Sequence, residues 1–109
     1  MRRGKYRHGA ASCKLAYSQA LPAHIRGNVL EILSLETPPE SRGKGHAKGL
    51  IADICLQADA NRITLLAMPK PFGELGLTLT GLVSFYKKAG FFCIQDSPSL
   101  LMARPPLRK

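Results

Sequence analysis

Acidic residues, aromatics and cysteine are all scarce in this 109-residue sequence, and each scarcity removes a class of protein. The three thiols, Cys13, Cys55 and Cys93, are odd in number and form no CxxC pair, which argues against a disulfide framework and a zinc site. Cys55 and Cys93 stand among apolar neighbours and read as small core groups of a reduced protein. No metal is expected. Aromatic side chains make up 6% of the chain. Within the first 28 residues only Tyr6 and Tyr17 are aromatic, too few for the stacking platform that grips single-stranded nucleic acid. No apolar run approaches the length of about 20 that spans a bilayer, and MRRGKYRHGAAS at residues 1–12 lacks the apolar stretch of a secretory signal. The expectation is a cytoplasmic protein with no membrane partner.

Acids are missing from one end only. Residues 1–28 carry six Lys or Arg and no acid, whereas residues 29–109 set ten bases against seven acids within a net charge of +9. The body is therefore mildly basic. The head is expected as a basic arm with one strand over 12–20, most simply a solvated tail, with contact to nucleic acid as the sharper alternative. An apolar content of 45% suits a single globular domain, which at this size buries about two-thirds of its unfolded surface.

From residue 29 the pattern becomes regular. VLEILSLE alternates Val29, Glu31, Leu33 and Leu35 with Leu30, Ile32, Ser34 and Glu36, which predicts an interior strand apolar on both faces. Pro38 and Pro39 stop it. Ala47, Leu50, Ile51, Ile54, Cys55 and Ala58 then recur at helical spacing, ending near Asn61. ITLLAM at 63–68 reads as a second buried strand, parallel to the first through the helical crossover. A second helix is expected from Thr78 or Thr80, with Leu82, Val83 and Tyr86 on one face and Gly90 as its C-terminal cap. FFCIQ and SLLMAR follow as a strand hairpin across DSP.

Between the first strand and the first helix lies SRGKGHAKG, residues 41–49. A glycine-rich turn at this place offers backbone N–H groups at the positive end of a helix dipole, the arrangement that binds phosphate. Two nucleotide motifs fail on spacing. A Walker loop needs a hydroxyl residue after its lysine, but Lys44 is followed by Gly45. Gly43, Gly45 and Gly49 run GxGxxxG, one residue too long for the dinucleotide fingerprint. Arg42, Gly45 and Ala47 do meet R/Q-x-x-G-x-G/A.

On that motif, and on SFYKKAGF at 84–91, the sequence resembles the GNAT N-acetyltransferase superfamily over about 70% of its length, residues 29–104. The resemblance implies an α/β (α+β) fold: a mixed central sheet flanked by helices, in the order β-α-β-α-β-β. It implies acetyl transfer from acetyl-coenzyme A to an amine, a small molecule or a protein amino group, by direct attack. The pyrophosphate would lie on Arg42, Gly43, Lys44, Gly45, His46 and Ala47. The pantetheine arm would pair with Leu35, Glu36 and Thr37, and Ala67 and Met68 would line the slot for the thioester. Tyr86 matches the family tyrosine that protonates the departing thiolate, a task open to a phenol of pKa about 10 held near the sulfur; its plainer role is core packing. For the general base the candidates are Glu36, Glu31 and, behind them, His24. Phe85 and Phe91 are expected in the core.

Two departures shape the remaining expectations. The family's asparagine ahead of FYxKxGF is replaced by LTLTGLV, and the first strand and two helices that wall the acceptor site have no room in 28 residues. A second subunit would then complete the acceptor site across an open edge and apolar face. Alternatively the chain binds acyl-coenzyme A with little transfer, or associates with nucleic acid through its basic head.

Overall fold

The computed structural model describes residues 1–17, 28–69, 78–97 and 99–107. In chain order these form β1 (Gly4–His8), β2 (Ala11–Tyr17), β3 (Val29–Glu36), a 3-10 turn (Pro39–Ser41), α1 (His46–Asn61), β4 (Thr64–Ala67), α2 (Leu79–Lys88), β5 (Phe92–Gln95) and β6 (Leu101–Arg104). His24 and most of the loop before α2 lie outside the described residues. The strands make one mixed sheet in the order β1-β2-β3-β4-β6-β5. Only β3 and β4 are parallel, as a helical crossover between neighbouring strands requires. From β3 onward the observed order is the expected β-α-β-α-β-β.

The helix boundaries follow from local chemistry. Leu50, Ile51, Ile54, Cys55 and Ala58 bury one stripe of α1, and Arg62 ends it in the left-handed region at φ 57°. Thr78 caps α2 by accepting from the Gly81 N–H at 3.1 Å. Gly90, at φ 100°, turns the chain out of it. Leu15, Leu30, Ile54, Leu65 and Met102 close the core between sheet and helices.

Four expectations need correction. The described part of the basic head, residues 1–17, is no tail: β1 and β2 pair antiparallel from Gly4↔Leu15 to His8↔Ala11, and β2 pairs with β3. Tyr6 packs against the core, while Arg3 lies over the Tyr17 ring with its guanidinium carbon 5.7 Å from the centroid. The alternation in β3 is broken. Ser34 takes φ 53°, and the register with β2 slips between Ser12 and Lys14, so the strand bulges. Leu35 and Thr37 thereby join the buried face begun by Leu30 and Ile32, and Leu33 stays half-buried opposite. Cys93 is exposed, since β5 is the sheet edge; Cys13, on interior β2, is the buried thiol alongside Cys55. Phe85, expected in the core, is half-buried beside it, whereas Phe91 is buried.

Candidate functional site

The site begins where two parallel strands part. β3 and β4 are in register from Val29↔Thr64 to Ile32↔Ala67. β4 then stops, while β3 runs on through the Ser34 bulge to Glu36. Among the described residues no strand pairs with that edge of β3 beyond Ile32, so an extended ligand has a backbone edge to lie along. Ala67 is buried at the fork and Met68, 42% exposed, stands just past it.

The forked strand leads into the phosphate-type turn. Arg42 donates from Nε to the Thr37 carbonyl at 3.0 Å, which ties the turn back to the end of β3. Gly43 and Gly45 have φ of 79° and 82°, and a Cβ at either would meet no atom within 4 Å. The space above the turn is open, and the backbone shape is one that glycine adopts without strain. Gly45 caps α1 without a side chain, and the first helical bond runs from Gly49 N–H to the Gly45 carbonyl at 2.9 Å. The N–H groups of residues 46–48, ahead of that bond, have no acceptor within the helix. No acid sits in that first turn to occupy them.

Just past the end of β3, one buried polar atom has no partner among the described residues. Thr37 is 4% exposed, yet its Oγ1 makes no hydrogen bond among the described residues. A buried hydroxyl left unpaired costs on the order of 1–3 kcal/mol, so its persistence at the start of the turn is what a ligand-completed site would show. Open glycines, an uncapped helix start and this hydroxyl fit a pyrophosphate and its arm.

The β1–β2 turn braces the site. His46, first residue of α1, lies against Gly9, where a Cβ would overlap the imidazole, and His8 lies against Gly49 in the same way. His8 Nδ1 also meets Asp53 Oδ2 at 2.7 Å. Each glycine thus admits the other element's histidine. This contact was not legible in the sequence, because nothing in residues 1–9 marks them as a strand that packs on α1.

Below the turn a groove of about 500 Å³ runs between α1 and α2, walled by Ile51, Ala52, Cys55 and Phe85 with Lys48 and Lys88 at its rim. Burial pushes the Cys55 thiol above its usual range, only partly offset by nearby Arg104, so it stays protonated. Tyr86 does not line this groove. It is 6% exposed, with its ring edge-on to Phe85 at 5.3 Å and to Phe91 at 5.2 Å between centroids. Of the two glutamates, Glu36 stands exposed on the free end of β3 and receives a long 3.5 Å contact from Ser12 Oγ. Glu31 is half-buried within the paired stretch, level with Leu66.

No protein-family model matches the sequence, and no curated protein sequence does. Solved structures do match. The ribosomal-protein-S18-alanine N-acetyltransferase from Escherichia coli superposes with a TM-score of 0.67 at 12% identity, over 92% of this chain and 64% of its own. An N-acetyltransferase from Thermoplasma acidophilum in complex with coenzyme A gives 0.59 at 21% identity, over 88% of this chain and 53% of its own. The anti-CRISPR protein AcrVA5 gives 0.65 at 14% identity, over 92% of this chain and 97% of its own. The chain has the fold of the GNAT acetyltransferases. It spans 64% and 53% of the two N-acetyltransferases named.

Proposed function

We propose that this protein transfers an acyl group, acetyl in the first instance, from acyl-coenzyme A to an amine by direct attack. The observation that carries the reading is the unpaired, buried Thr37 hydroxyl just past the end of β3, ahead of a glycine turn with open space at Gly43 and Gly45. In this reading the pyrophosphate sits on the amides of residues 43–47, with Arg42 and Lys44 adding charge. The pantetheine arm follows Leu35, Glu36 and Thr37 into the fork, where Ala67 and Met68 flank the thioester. The groove between α1 and α2 takes the nucleotide end, with Lys48 and Lys88 near its ribose phosphate. The coenzyme supplies the activated acyl carbonyl, and strand amides at the fork polarise it.

Proton handling falls to two residues. Glu36 lies at the free end of β3 and takes the proton that the acceptor ammonium must lose; Glu31, held in the paired segment, is the second candidate. Tyr86 returns a proton to the departing thiolate. A covalent acyl-cysteine route through Cys13 or Cys55 is disfavoured, since burial holds both thiols in their protonated form. The test is release of free coenzyme A thiol from acetyl-coenzyme A in the presence of a panel of amines. Amine-dependent release supports transfer. Tight binding of acetyl-coenzyme A with no release above the uncatalysed rate for any amine would leave a binding module instead.

A further inference from the structure

On the sheet face turned away from α1, an open cavity of about 360 Å³ is lined by Lys5, Ser12, Cys13, Lys14, Ser34 and Glu36. Its volume is within the range of small-molecule sites, roughly 300–1,000 Å³. Its charges are unusual. The β1–β2 register sets Lys5 directly opposite Lys14, and residues paired in this way share a face. Like charges directly opposite one another on a sheet repel and destabilise the pair. Neither ammonium is relieved by a carboxylate: among the described residues the ion pairs join His8 to Asp53 and Arg104 to Asp59. Glu36, in the same cavity, is engaged by Ser12.

The cavity also touches the fork. Ser34 and Glu36 belong to the end of β3 that β4 leaves unpaired, so one strand segment has the proposed cofactor edge on one side and this cavity on its face. We propose that the cavity is the acceptor subsite and that it selects an amine bearing a second, anionic group, a carboxylate or a phosphate. The proposal rests on the acyl-transfer reading above. Lys5 and Lys14 share the anion, which removes their mutual repulsion, while Glu36 attracts the ammonium end. Glu36 takes one proton from that ammonium. The freed amine lone pair attacks the thioester carbonyl, the C–N bond forms and the C–S bond breaks. The second proton goes to the leaving thiolate, the third stays on the product amide, and Glu36 passes its proton to solvent.

The test compares matched acceptors with acetyl-coenzyme A: O-phosphoethanolamine against ethanolamine, and β-alanine against β-alaninamide. The two pairs distinguish phosphate from carboxylate. The expected result is a kcat/KM at least tenfold higher for the anionic member of one pair or both. Lys5→Gln and Lys14→Gln, at exposed positions, should raise KM for that acceptor tenfold or more and leave the neutral amine unaffected. Equal rates within both pairs, or equal effects of the lysine changes on charged and neutral amines, overturn the proposal. Binding is read without turnover from the backbone amide shifts of Ser12, Lys14, Ser34 and Glu36 during titration with O-phosphoethanolamine and β-alanine. Saturable shifts that Lys14→Gln abolishes support the site, and no shift at 20 mM, about the weakest binding worth a subsite, overturns it. A thermal shift with acetyl-coenzyme A in the same buffer separates the two levels: no shift there sinks the transfer reading and the acceptor role with it, whatever the anion does.

Discussion

The replacement of Arg104 by methionine is the sharpest structural perturbation available. Arg104 is 5% exposed and donates to both carboxylate oxygens of Asp59, at 2.7 and 3.0 Å, and to the Ala89 carbonyl at 2.8 Å. Asp59 Oδ1 also accepts from Leu107 N–H at 2.9 Å. One guanidinium thus joins β6 to α1 and to the end of α2, holding both walls of the groove. Methionine keeps much of the volume and removes all three donated bonds. Breaking a buried pair from one side costs on the order of 3–5 kcal/mol, and the 20% exposure of the Asp59 side chain places the expected loss near the low end, about 3 kcal/mol. Against a total of about 5–15 kcal/mol this is large, and for a domain of this size it lowers Tm by about 10 °C. Urea unfolding followed by circular dichroism, with an unchanged m-value, measures it. Asp59→Leu combined with Arg104→Met should recover a substantial part, because no charge is then stranded. A single change costing under about 1 kcal/mol, or a double variant no more stable than the single, would refute the reasoning.

Three further outcomes are expected. Gly45→Val forces a β-branched residue into φ 82° and places methyls where the phosphate would lie, so acetyl-coenzyme A affinity measured by calorimetry should fall at least tenfold; unchanged affinity would place the anion elsewhere. Tyr86→Phe should lower kcat about 100-fold while preserving cofactor affinity, in line with loss of one general acid, and an unaltered kcat would assign Tyr86 to packing alone. Burial pushes the Cys13 thiol from 9.0 up to about 12, so the folded state keeps a proton that the unfolded chain releases. Its stabilising contribution is full below about pH 9 and is lost as the pH rises toward 12, and Cys13→Ala should flatten the fall in urea midpoint between pH 8 and 10.5.

What the sequence made legible was set by local chemistry. The apolar spacing of α1, the start of α2 at Thr78 or Thr80 and the glycine turn are short-range signals, and both helices stand where those residues placed them. The Ser34 bulge was hidden because Leu33 and Leu35 are apolar whichever face they occupy, so alternation alone could not show the change of phase. β1, GKYRH, is a polar edge strand whose one core contact is Tyr6, and such a strand carries almost no periodic signal. Cys93 misled because apolar neighbours on an edge strand resemble those of an interior one. The pairing of Arg104 with Asp59, and of Lys5 with Lys14, arises from tertiary register, which no local spacing encodes.

The central claim is that the turn at residues 41–49 and the fork beside it hold a coenzyme A thioester. Its most direct measurement is the thermal stability of the purified protein with and without 1 mM acetyl-coenzyme A, repeated with Gly45→Val. Binding at a hundredfold excess over Kd adds about 2.7 kcal/mol, which raises Tm by about 10 °C for the native protein, and the variant should lose most of that rise. No stabilisation of the native protein at millimolar ligand would contradict the account.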